Sequence, residues 1–175
     1  GSFVNCLEAI MTRRSIRKFK PDPVKPEDIM AILEAGRMAP SAGNLQPCHF
    51  VVIQDPAVRA KVQQAALGQE LFDSAPVIIA VCVEPERSSK YGDIGRNYFC
   101  LLDGANATEN MLLAAHALGY GACWVGGFIQ SAVKEVLGLP EDVQVVSLIP
   151  LGIADEKPEV PPRRSLEDMV RWEKW

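Results

Sequence analysis

Leu7, Ile10 and Met11 recur at i, i+3 and i+4, the spacing of one helix face, and predict a short helix over residues 5–13. Three prolines crowd "PDPVKPEDI", which reads as extended linker. Pro26 with Glu27 and Asp28 then opens a second helix, striped by Ile29, Ile32 and Leu33 and stopped by Pro40. "HFVVIQ" (49–54) reads as a strand, and Asp55-Pro56 caps a helix running to about Leu67. "PVIIAVCV" (76–83) is an unbroken apolar run, the mark of a strand covered on both faces. Residues 84–96 are polar and read as a loop. The longest helical pattern runs from Asn97 to Leu118, apolar nearly all round and therefore central, with Gly119 as its stop. "ACWVGGF" predicts a short strand entering a glycine turn, Ser131 begins a small helix ending at Gly138, and "VQVVSLIPLGIA" (143–154) is a fourth strand.

This irregular alternation of helices and strands predicts an α+β sandwich rather than an open Rossmann sheet. The tail, "DEKPEVPPRRSLEDMVRWEKW", begins proline-rich and ends in a short helix, with Ser165 and Asp168 spaced as a capping box. It carries Leu166, Met169, Val170, Trp172 and Trp175 with no body of its own, so it calls for another surface, such as a second subunit.

The 175 residues suit one domain with a real core, and no apolar run reaches the ~18–20 residues that span a bilayer. Gly1-Ser2 reads as an expression remnant and is left out of the fold. Cys6, Cys48, Cys82, Cys100 and Cys123 form no CxxC pair and no Cys/His cluster. They fit reduced thiols in a cytoplasmic protein better than a disulfide frame or a metal site. A net charge of −4 argues against nucleic acid as a partner.

Within that acidic chain "RRSIRKFK" (13–20) packs five cations into eight positions. Arg13 and Arg17 are i,i+4 and share a face if the segment is helical, with Ser15 between them; with Arg14 they form a fork suited to a phosphate dianion. The plainer alternative is a solvated run, which is how Lys18 and Lys20 are read. "PSAGNLQP" offers Ser41, Asn44 and Gln46 as hydroxyl and amide partners for a heterocycle edge, or else is an ordinary turn. "GYGACWVGGF" fails as a dinucleotide fingerprint, because position 124 is Trp and the glycines end a helix. The Gly126-Gly127 pair could instead present backbone N–H groups to a ligand, or form a tight turn. Arg163-Arg164 is a last basic pair. No nucleophile or acid pair stands out: His49 and His116 read as structural, and nothing suggests an activated Cys48. Chemistry would then fall to a bound cofactor.

"RRSIRKFK", "ILEAGRMAPSAGNLQPCHFVVI", "APVIIAV", an Asp103-bearing helix, "LGYGACWVGGF" and "PPRRSLEDMV" occur in the order that resembles the nitroreductase family. The resemblance implies an α+β fold with a mixed sheet flanked by helices, spanning residues 3–175 as a single FMN-binding domain. It also implies an obligate homodimer whose C-terminal segment, residues 155–175, wraps the partner, with FMN at the subunit interface. Arg13, Arg14, Ser15 and Arg17 would hold the FMN phosphate and pyrimidine edge, with Arg164 and Arg163 adding charge. Pro40, Ser41, Asn44 and Gln46 would meet the isoalloxazine from the other subunit, Gln69 would stand near the pyrimidine, and backbone N–H groups of Gly126 and Gly127 would face N5 and O4.

The implied activity is ping-pong transfer of hydride from NAD(P)H through flavin N5 to a small acceptor such as a nitroaromatic or quinone, with no catalytic side chain. A flavin-dependent dehydrogenase or dehalogenase of the same fold, or a flavin-binding protein without turnover, are the alternatives. Position 126 is glycine where family members often carry glutamate, and residues 84–100 leave little room for a long substrate lid.

Overall fold

The computed structural model describes residues 4–175; Gly1, Ser2 and Phe3, where the expected domain begins, lie outside the described residues. In chain order the elements are α1 (Cys6–Thr12), α2 (Pro26–Arg37), β1 (Cys48–Ile53), α3 (Pro56–Ala65), β2 (Val77–Val83), α4 (Gly92–Ile94), α5 (Cys100–Ala117), β3 (Gly121–Ala122), α6 (Gln130–Leu137), β4 (Gln144–Gly152) and α7 (Leu166–Met169). The local signals are realised as caps. Asp55 accepts from the N–H groups of Ala57 and Val58, Pro26 takes the first turn of α2, Gly138 ends α6 in the left-handed region, and the Ser165 side chain accepts from Asp168 N–H.

The four strands lie in the order β1-β2-β4-β3, each pairing antiparallel. Among the described residues the one parallel partner is Ser15, whose bridge to Ala122 extends the sheet at the β3 edge. β2 is buried along its whole length, which explains its unbroken apolar sequence. Its alternate side chains feed two cores. Val77, Ile79 and Val81 pack with Ile32, Met111 and Leu112 from α2 and α5. Ile78, Ala80 and Cys82 pack on the other face with Val62 of α3 and Val133 of α6. Helices therefore cover both faces of an antiparallel sheet. The close seating of α5 depends on Gly104, where a Cβ would stand 2.7 Å from Val146 Cγ2 and 3.0 Å from Val83 Cγ1.

Two expectations are corrected and one open alternative is decided. Residues 84–96 are not a loop: a 3₁₀ segment, Pro85–Tyr91, leads through α4 and a π turn, Gly95–Phe99, directly into α5. Buried Ser88 and the Arg96–Glu86 ion pair (2.8 Å) tie these turns together in a way that no apolar periodicity announces. The segment 13–20 is extended rather than helical, so Arg13 and Arg17 do not share a helix face. The strand expected from "ACWVGGF" shrinks to Gly121–Ala122, with a separate bridge from Val125 to Leu148. Among the described residues no helix is long and apolar enough to cross a membrane.

Candidate functional site

α1 ends at Thr12, and the chain then runs extended along the sheet edge: Ile16 N–H donates to Ala122 O at 3.0 Å and Lys20 N–H to Ile153 O at 2.8 Å. Ile16 and Phe19 are buried, so the intervening polar residues are turned outward. Arg13, Arg14, Ser15 and Arg17 line a cavity of about 210 Å³ that is completed from the tail by Pro158, Glu159, Pro161 and Arg163. Two sequence-distant basic groups thus converge, with Glu159 the one carboxylate on the wall.

The four arginines are not equivalent. The Arg14 guanidinium donates to Arg13 O at 2.7 Å and to Met11 O at 3.3 Å, folded against its own backbone. Arg13 lies 3.7 Å from Glu109 of α5. Arg17 is anchored through its main chain, its N–H donating to Glu156 Oε1 at 2.7 Å, which leaves an exposed guanidinium. Arg164 does not line the cavity; its guanidinium donates to Asp168 O at 3.3 Å within the tail. Lys18 is exposed, as read from the sequence.

Arg17 also borders a groove of about 460 Å³ shared with Gln69. The Gln69 amide donates to Ala66 O at 2.8 Å and to Gly127 O at 2.7 Å, which fixes its orientation and joins it to the double glycine. Gly126 and Gly127 are exposed, and a Cβ at Gly126 would meet nothing within 4 Å, so a flat ligand can approach this backbone.

The Pro40–Gln46 loop lies elsewhere. Pro40, Ser41 and Gln46 line a second cavity of about 200 Å³ with Cys48, Arg87 and Asp103, which has no wall residue in common with the arginine cavity. Asn44 is exposed on the same loop. The loop is tied to the start of α5, where Asp103 Oδ1 accepts from Ala42 N–H at 3.1 Å. The basic segment is tied to its end, where Thr12 Oγ1 meets His116 Nε2 at 2.8 Å. Thirteen residues of helix put these anchors roughly 20 Å apart.

Asp103, Arg87 and Tyr91 are functional candidates that pattern reading missed. The one carboxylate in the first turns of α5 was the available signal for Asp103; Arg87 and Tyr91 gave none. Burial raises the Asp103 pKa, against the lowering effect of the Ala42 N–H. The Cys48 thiol is pushed up to about 12, by burial first and the neighbouring Asp103 carboxylate second, so it is no ready nucleophile. His49 is exposed and pairs with Glu84 at 2.8 Å, outside this cavity. A further cavity of about 430 Å³ lies between α1, the end of α5 and the tail, where His116 and Tyr120 stand on the wall beside Arg13 and Arg14. His116 is held below its ordinary pKa by burial, then by Arg13 and Arg14.

The model of the nitroreductase family matches residues 10–71 and 65–153. A protein of Archaeoglobus fulgidus provisionally named NADH dehydrogenase/NAD(P)H nitroreductase is 37% identical over 176 residues, covering 97% of this chain and 98% of its own. Among solved structures, the NADPH:FMN oxidoreductase of Vibrio harveyi complexed with NAD⁺ superposes with a TM-score of 0.88 at 31% identity, over 97% of this chain and 77% of that one. A nitroreductase family protein from Clostridium difficile gives a TM-score of 0.88 at 27% identity over 98% and 100%. With the family model matching most of the chain and a relative 37% identical over 97% of it, this protein belongs to the nitroreductase family.

Proposed function

We propose that the chain is an FMN-dependent NAD(P)H oxidoreductase that works as a homodimer and passes electrons to a small acceptor such as a nitroaromatic or quinone in a ping-pong cycle. The observation that carries this reading is the convergence of Arg13, Arg14, Arg17 and Arg163 on one small cavity beside the Gln69–Gly127 edge. The donor set fits the cofactor. A phosphate dianion suits clustered guanidinium groups, and a neutral amide with open backbone N–H groups suits a heterocycle bearing both C=O and N–H.

Bound FMN would supply the redox chemistry, taking hydride from NAD(P)H and passing electrons on. The protein's residues bind and orient. Arg17 and Arg163 hold the phosphate, with Arg13 and Arg14 adding field and Ser15 a hydroxyl. Gln69, held by two carbonyls through its amide nitrogen, keeps its Oε1 available to a ring N–H. The main chain at Gly126 and Gly127 offers N–H donors to the reacting edge of the ring, where fixed dipoles are most useful. Because position 126 is glycine, no side chain there holds or moves a proton.

Pro40, Ser41 and Gln46 line a cavity that has no wall residue in common with the arginine cavity of the same chain, and Asn44 lies on the same loop. They would reach the flavin from a second copy, and the tail residues 155–175 would wrap that copy. Named relatives support the activity: the Vibrio harveyi structure is of an NADPH:FMN oxidoreductase with NAD⁺ bound.

The purified protein should show a flavin absorbance band that bleaches on titration with NAD(P)H and returns on adding a quinone or nitroaromatic. A yellow protein that does not turn over would leave only flavin binding. A colourless one that ignores added FMN would overturn the reading.

A further inference from the structure

The Ser41–Gln46 loop holds an unusual backbone. Gly43 has φ +59°, but Asn44 and Gln46, which carry side chains, also sit in the left-handed region at +54° and +52°. A side chain in this region is unfavourable, more so at Gln46 than at Asn44, and the conformation persists only where its surroundings hold it. Here the anchors come from outside the loop. Asp103 of α5 accepts from Ala42 N–H at 3.1 Å. Arg87 of the 85–99 segment donates through Nε to Gln46 O at 3.0 Å. The Tyr91 hydroxyl closes over Gly43 so tightly that a Cβ there would stand 2.5 Å from it. Inside the loop, Gln46 N–H donates to Ser41 Oγ at 3.1 Å and its side-chain amide to Asn44 O at 3.1 Å.

We infer that Asp103 and Arg87 are positioning residues for the flavin-facing loop, and that the 85–99 segment serves as a clamp on that loop rather than as a lid over substrate. The inference rests on the reading above, in which this loop meets FMN from the partner. Asp103 is 5% exposed, and its second oxygen, Oδ2, is buried without a hydrogen-bond partner. A carboxylate kept so at the foot of the loop is unfavourable for stability alone, and local rules of this kind are broken chiefly where function requires it. Arg87, by contrast, is exposed, so its contact with Gln46 adds little to the core. Its effect is confined to where the loop backbone sits. Positioning of this kind acts through preorganisation: a loop held in its bound shape loses less entropy when ligand arrives.

The test uses the full-length protein stripped of FMN and retitrated, with FMN affinity read by fluorescence quenching and ring geometry by the visible circular dichroism of the bound flavin. Arg87→Ala should weaken FMN roughly tenfold and alter the dichroic band while leaving the melting temperature of the apoprotein nearly unchanged. Asp103→Ala should do the same with some loss of stability, and Asp103→Asn, whose amide oxygen can still accept from Ala42 N–H, should restore affinity and band. Wild-type affinity and dichroism in both Arg87→Ala and Asp103→Ala, alongside weakened binding in Asn44→Ala, would overturn the positioning role and leave the loop's contact with flavin standing. If Asn44→Ala and Ser41→Ala also bind FMN normally while Arg17→Ala does not, the loop does not meet the flavin and both statements fall together.

Discussion

Arg14 and Arg17 differ in where their guanidinium groups are engaged, and that difference ranks them. Arg14 already spends its guanidinium on Arg13 O and Met11 O, whereas Arg17 is held by its main chain and keeps its side chain exposed at the junction of two cavities. Hydrogen bonds to charged groups contribute about 1.5–3 kcal/mol, so Arg17→Ala should weaken FMN about 10- to 100-fold in an equilibrium titration. Arg14→Ala should weaken it several-fold less, and equal losses would count against the ranking. His116 supports a prediction about stability. Its folded pKa lies below the ordinary value, through burial and the nearby Arg13 and Arg14, so the unfolded chain takes up a proton at higher pH than the folded one. As pH falls below about 6.5 the unfolded state binds more protons, and stability must drop until the folded-state pKa is passed. Urea midpoints measured from pH 8 to pH 5 should decline over that window, and the part of the decline due to this residue should vanish in His116→Gln. An unchanged profile in the variant would show that other groups govern it.

At the scale of elements, α5 sets the geometry of everything around it, and Gly104 sets α5. Gly104→Ala would drive a Cβ to 2.7 Å from Val146 Cγ2, and overpacking of this kind costs about 1–3 kcal/mol. The urea midpoint should fall, and the loop anchored on the adjacent Asp103 should become more susceptible to proteolysis. A midpoint at or above wild type would mean that the helix can lift without penalty. The helix itself was legible because its residues are apolar on nearly every side, and β2 because both its faces are covered. Caps at Asp55, Pro26 and Ser165 were legible because they are local chemistry. The 85–99 turns were not, since they are held by buried Ser88, by Arg96–Glu86 and by an edge-to-face contact of Tyr91 with Phe99, ring centres 5.5 Å apart, none of which leaves a periodic trace. The course of 13–20 was open in the sequence: i,i+4 arginines would share a face only in a helix, and tertiary hydrogen bonds to Ala122 and Ile153 hold the backbone extended instead. Of the candidate site, the motif residues could be named from their chemistry. The supports beneath them could not, because Arg87 reaches Gln46 across 41 positions of chain and Asp103 reaches Ala42 across 61.

Taken as a whole, one chain leaves much apolar surface uncovered, which the proposed homodimer would bury. In the tail Val160 is 70% exposed, Leu166 75%, Trp172 80% and Trp175 100%, while α1 turns out Leu7 at 75% and Met11 at 74%. Patches of this kind mark interaction surfaces. The proposed flavin site points the same way, since the arginine cavity and the cavity beside the Pro40–Gln46 loop share no wall residue. A homodimer closed by exchanged tails would satisfy both at once: it would cover the tryptophans and bring each loop to the other chain's arginines. Buried interface tryptophans contribute about 2 kcal/mol or more each, so Trp172→Ser with Trp175→Ser, which removes both tryptophans from each subunit, should weaken dimerisation on the order of a million-fold. Both side chains are exposed in the single chain, so the substitutions leave its core intact. Sedimentation velocity across a concentration series should show wild type as a dimer and the double variant dissociating at micromolar protein. FMN retention should fall in parallel, because a monomer would keep the phosphate-binding arginines but lose the facing loop. Dissociation without loss of FMN would place the whole flavin site within one chain, and a wild-type protein that sediments as a monomer would remove the dimer altogether.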